Sequence, residues 1–370
     1  MTSIFEIDLL LALALVVVVP LGLSMIRWSD PQAERLRAMA SKAAPYAGAA
    51  SAVSLFTGDN AGAQLNALLA SAWLAVSVAV GISALAEMVR TRPSALESYL
   101  PVAACVHLVV GAVWFVLFQS GVRPMNLPLE LVELTAVDFH YAGFAAPVLA
   151  AQAALWLRAL PGKWNRLAAF AGLAVAVAVV MTAIGTGISP LVEFEGTLLM
   201  AVSLVAIAAG TTLIAFRLPV SARIPLLISS ACIWVAMVLA VQYSFGRFTD
   251  TGAISVRDMA RTHGALVFVF AVCGMLGWKQ ATKKAKLVTT GTDAEQAPEP
   301  EPPAERRPEE SPQLQHLVAG QSGPSRESEV SGEQPRAPDP EHPGPPDPEH
   351  PGPPDPEHPG PPDVQRTEDT

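Results

Sequence analysis

One apolar stretch, LELVELTAVDFHYAGFAAP, carries Glu130, Glu133, Asp138, His140 and Tyr141. Carboxylates and an imidazole at that density can pass protons near neutral pH or ligate a metal ion. Helical turning of about 100° per residue puts Glu133 and His140 on one face, with Phe144 beside them. The same arithmetic swings Asp138 about 160° away from His140, so one helix cannot aim both at a single ion. A further histidine, His263, stands in RDMARTHGALV, just after Asp258 and Arg261. Two arrangements suit these positions. One is a proton path through Glu133, His140 and His263 on facing helices, and the other is a metal held by His140, His263 and a carboxylate. His107 stands alone and reads as a hydrogen-bonded core residue.

The elements that must position these groups are membrane spans. A bilayer core about 30 Å thick needs roughly 20 apolar residues per helix. Nine such stretches are predicted: 7–26, 38–57, 65–88, 99–119, 129–157, 167–186, 197–216, 224–243 and 259–278. Gly, Ala and Val dominate them, which suits close helix packing in lipid. Of the 370 residues 51% are hydrophobic and 15% charged; soluble domains carry about 25% charged residues. The expected fold is an all-α integral membrane bundle of about nine transmembrane helices, residues 1–286, followed by a disordered tail, residues 287–370. Within a span, ionisable groups are costly and are candidates for function. Asp138 and His140 fall about 14–17 Å below Leu129, close to the midplane. Cys105, Cys232 and Cys273 lie in apolar runs without metal-ligand spacing and read as packing residues.

The weakest span is 38–57, because Lys42 lies inside it. Loop charge supports it. With nine spans, alternate loops hold 15 Lys and Arg on one side and 4 on the other. Without it the split is 8 to 11, which is no bias. The positive-inside rule therefore favours nine, in a cell (inner) membrane, with the N-terminus outside and the C-terminal tail cytoplasmic. The first span has acidic leading residues, Glu6 and Asp8, and no small-x-small cleavage site before the basic loop. It is expected to remain as an anchor.

The tail differs from the body. Up to Lys286 there are 19 basic and 14 acidic residues; beyond it there are 5 and 19, with 21 of the 33 prolines. Such a segment cannot bury enough apolar surface to offset its ordering entropy. PDPEHPGP recurs at 338–345, 346–353 and 354–361, a pattern suited to polyproline II and to a proline-reading cytosolic partner. Its histidines, His342, His350 and His358, lie roughly 25 Å apart in that form, too far to share an ion. The tail's acidity makes nucleic acid a poor partner, and KQATKKAK before it suits anionic lipid headgroups.

Three segments carry a resemblance: VVVVPLGLSM in the first span, VELTAVDFHYAGFAAP at 132–147, and MARTHGALVFVFAVCGMLGW at 259–278. Together they resemble the YndJ-like family of bacterial multi-pass membrane proteins, whose patterns run close to LTAVHFHYAGF and HGxxNAxGFxxxGxxGW. The resemblance covers the membrane body and none of the tail. It carries over Glu133, His140, Tyr141, His263 and Gly264. Asp138 stands where the family has a first histidine, and Val267 stands where it has Asn. What the resemblance implies is a transporter-like membrane protein, with no particular substrate.

Function is thus expected to be a permease for a small solute or proton, with Glu133, Asp138, His140, Tyr141 and His263 as its intramembrane polar site. Two other readings stand beside it. One is a non-catalytic scaffold presenting the Pro-rich tail; the other is a metal or haem redox protein, with His140 and His263 as candidate ligands. A haem reading leans on likeness of the HFHY type to haem-copper oxidases, which Asp138 in place of the first imidazole weakens. No cofactor is called for. Enzyme chemistry finds no support, because GxGxxG, Walker, HExxH and GxSxG patterns are missing from their required contexts.

Overall fold

The computed structural model describes residues 5–57, 62–252 and 254–295, with side chains through residue 285. Lipid offers no hydrogen bonds, so each pass must satisfy its backbone internally as a helix. Nine long helices are found among the described residues. They are α1 (Phe5–Leu23), α2 (Pro31–Phe56), α3 (Ala63–Thr91), α4 (Tyr99–Gln119), α5 (Leu129–Leu157), α6 (Trp164–Ile188), α7 (Pro190–Ala215), α8 (Val220–Thr249) and α9, which starts at Val256. Helical backbone in α9 continues to Glu295, past the composition change at Lys286. The tail repeats lie outside the described residues.

Eight of the nine are long and apolar enough to cross a bilayer; α2 is not among them. Its packing nevertheless carries it along the whole length of both neighbours. Near its start Arg37 Nη1 donates to Leu23 O at the end of α1, 2.9 Å away. Near its end the Phe56 ring lies 6.3 Å from that of Phe5 at the start of α1. Midway, a Cβ on Gly48 would lie 2.4 Å from Leu15 O, so only glycine permits this approach. Against α3, Arg90 reaches Asp30 at one end and Thr57 reaches Asn66 at the other. Lys42 is exposed on α2, while Arg37, expected among the loop cations, is buried.

The fifth helix is the centre of the bundle. In its most apolar window 83% of residues are buried, against 33–61% in the seven other apolar passes. Helices α1, α4, α6 and α9 pack around it. Outward-facing side chains such as Leu68, Phe170, Val202 and Val238 are more than 60% exposed in the isolated chain. A soluble protein rarely exposes apolar surface on that scale; here it meets the hydrocarbon of the bilayer.

A polar clamp fixes the corner between α1 and α2. Glu87 accepts the backbone N–H groups of Ser29 and Asp30, at 3.0 and 2.8 Å. Glu34 accepts from Trp28 N at 3.0 Å and from Arg37 Nε at 2.8 Å. These contacts, led by the Arg37 hydrogen bond, hold the Glu34 carboxyl down at about 2. Asp30 caps α2 by accepting from Ala33 N at 2.7 Å, with Pro31 at the first helical position.

Candidate functional site

Three passes contain a widened π-helical segment: Ala14–Val18 in α1, Phe139–Ala145 in α5 and Ala260–Gly264 in α9. Such segments are rare and often accompany functional sites. In α5 the change comes directly after Asp138, so a constant 100° per residue no longer describes the helix below it. The side chains fan out accordingly. Asp138 faces a cavity between α5, α6, α7, α8 and α9. Tyr141 points to α1, where its hydroxyl donates to Leu10 O at 3.0 Å. His140 turns toward α3 and α4.

His140 is fully engaged. Its Nδ1 donates to Ala136 O at 2.7 Å, which leaves Nε2 to accept the indole N–H of Trp73 at 2.9 Å. The ring is wholly buried, and a Cβ on Gly111 would come within 2.9 Å of Nδ1. Any metal on His140 would displace one of these bonds. Glu133 is also fully buried, and its carboxyl lies beside that of Asp8 on α1. His263 Nδ1 donates to Ala236 O of α8 at 2.9 Å.

The proton path expected through Glu133, His140 and His263 is therefore not assembled. These residues face α1, the α3–α4 pair and α8 respectively. The metal site expected between His140 and His263 fails on the same geometry. No group of three or more His, Cys, Asp or Glu side chains is placed to hold a metal ion among the described residues. Of the expected site residues, Asp138, Tyr141 and His263 line one cavity.

That cavity measures about 120 Å³, roughly the share of four water molecules. Opposite Asp138 stands an ion pair that sequence reasoning missed. Arg247, in the last turn of α8, donates through Nη1 to Glu193 Oε1 of α7 at 3.0 Å. Glu193 is buried and Arg247 partly so. The Tyr243 hydroxyl adjoins Arg247, and the Thr182 hydroxyl of α6 is buried without a hydrogen-bond partner among the described residues. Gly185 lets α6 approach α7, since a Cβ there would lie 2.2 Å from Glu193 N. The pair was missed because α7 begins at Pro190 and α8 runs to Thr249, beyond the apolar windows 197–216 and 224–243. Glu193 and Arg247 sit on those trimmed ends. Helical continuation past a window edge, with opposite charges at facing ends, was the signal available.

Sequence comparison can now be set beside this geometry. The family model for YndJ-like proteins matches residues 9–270, from α1 into α9. The chain belongs to the YndJ-like family. The matched segment contains every cavity-lining residue named above. A relative in Bacillus subtilis (strain 168), the uncharacterized membrane protein YndJ, is 22% identical over 208 residues. That alignment covers 56% of this chain and 37% of the relative, so this YndJ-like chain corresponds to well under half of that protein. No solved structure matches the chain.

Proposed function

We propose that this YndJ-like protein is a permease for a small solute or proton, with its path through the cavity lined by Asp138, Glu193, Arg247 and His263. The observation that carries this reading is the cavity itself. A chain surrounded by lipid has enclosed two carboxyl groups, a guanidinium and an imidazole around a space large enough for a few water molecules. Groups of that cost, held within a helical bundle and facing a void, are the usual mark of an ion or solute path.

Loop charge orients this proposal in a cell (inner) membrane. The excess of basic residues in alternate loops read from the sequence supports an N-terminus outside and a tail in the cytoplasm. The cavity is built from the starts of α5, α7 and α9 and the ends of α6 and α8, so it opens toward the outer half. The tail would then offer its proline-rich repeats to a cytosolic partner. No catalytic role is assigned.

The test is gradient decay in proteoliposomes loaded with a pH-sensitive dye and a set of small labelled solutes. Purified full-length protein is expected to speed the collapse of at least one gradient over protein-free vesicles. Identical rates across the whole set would refute the permease reading.

A further inference from the structure

We infer that the cavity takes a small primary ammonium ion, seated with its charge on Asp138. The inference rests on the permease reading of the same cavity and narrows its substrate class.

The argument turns on which polar valences are already used. Glu193 and Arg247 neutralise each other, with contacts of 3.0 and 2.9 Å. No hydrogen bond from another described residue reaches the carboxyl of Asp138, which faces the cavity from the α-to-π junction of α5. Burying a carboxylate away from any cation is costly, and a positively charged ligand removes that cost.

The remaining valences are acceptors too. With Nδ1 donating to Ala236 O, the neutral ring of His263 leaves Nε2 as an acceptor. The Thr182 hydroxyl, buried and unpartnered, can accept as well. An ammonium group presents three N–H donors on one positive centre and so matches a carboxylate, an imidazole nitrogen and a hydroxyl. An anion is disfavoured, because the charge of Arg247 is already balanced by Glu193 and Asp138 adds a second carboxyl to the lining.

Size and lining narrow the ligand further. About 120 Å³ admits a molecule of only a few heavy atoms. Met200, Met237 and Met259 line the apolar side, and thioether chains adapt readily to a short alkyl group.

The experiment is isothermal titration of the detergent-purified full chain with propylammonium chloride. Tetramethylammonium chloride and sodium propionate serve as controls. Propylammonium should bind saturably, tetramethylammonium, which lacks N–H donors, more weakly, and propionate not at all. Asp138→Asn should weaken propylammonium binding about tenfold or more, the usual effect of losing a charge-assisted contact. Thr182→Val should weaken it severalfold. If Asp138→Asn fails to fold, Asp138→Glu, which keeps the charge, should retain binding that Thr182→Val weakens. Absent propylammonium binding, equal binding by a folded Asp138→Asn protein, or preferred binding of propionate would overturn the inference. Propylammonium binding without flux in vesicles would leave it standing and remove the permease reading alone. Flux of another solute by a protein that does not bind propylammonium would do the opposite.

Discussion

Arg247 and Glu193 meet at 3.0 Å across the ends of two helices, α8 and α7, and together close one wall of the cavity. Their pairing sets the polarity of what remains. It balances the charge of Arg247 through Nη1 and leaves Asp138 as the carboxyl facing open space.

Removing one member should hurt more than removing both. Arg247→Met strands the Glu193 carboxyl in a site where it is only 5% exposed. Loss of one partner of a fully buried pair costs about 3–5 kcal/mol, and the partial exposure of Arg247 brings the expectation down to about 1–3 kcal/mol. The double variant Arg247→Met with Glu193→Gln should recover part of that loss. Thermal melting of wild type, Arg247→Met, Glu193→Gln and the double variant in one detergent measures it, and equal losses in Arg247→Met and the double variant would contradict the pairing.

His140 should prove structural. Trp73→Phe removes the indole donor to His140 Nε2. Hydrogen bonds between helices in membranes average about 0.6 kcal/mol and reach about 1.7 kcal/mol. The melting temperature should drop slightly, while flux per folded molecule stays within about twofold of wild type. A large loss of flux at unchanged stability would return His140 to the path.

Acid should loosen the α1–α2 corner through Glu34. Its carboxyl is depressed from 4.5 to about 2, mainly by the hydrogen bond from Arg37. A lowered folded value means that the stabilisation is complete above pH 4.5 and is lost as pH falls through 2. Glu34→Gln should be less stable at pH 7 and show a shallower decline over that window. Denaturation midpoints measured from pH 7 to 2 test this, and parallel curves for the two proteins would rule it out.

Helix α2 should separate the two faces of the membrane. In a cysteine-free background, Ser29→Cys should react with an impermeant maleimide only in inside-out vesicles. Gln64→Cys should react only in right-side-out ones. Both sites labelling from the same side would mean that α2 does not cross.

Much of the architecture was legible because a bilayer imposes length and composition on every pass. Even α2 was recoverable from the Lys and Arg imbalance, although its own composition falls short. The site was less so. Asp138 and His140 were separated correctly by helical arithmetic, but which neighbour each would meet depends on packing that periodicity does not encode. Glu133 and His140 share a nominal face, yet one meets Asp8 of α1 and the other Trp73 of α3. Arg247 read as a loop cation because hydropathy ends a span where charge begins. A bundle can extend a helix past that point when a facing carboxylate compensates.

The most direct measurement compares gradient collapse in proteoliposomes containing wild-type protein, Asp138→Asn or Trp73→Phe, each at equal folded content. A path through the cavity requires that Asp138→Asn fall to the protein-free rate while Trp73→Phe keeps the wild-type rate. Full flux through Asp138→Asn would show that whatever this membrane protein moves, it does not pass the cavity.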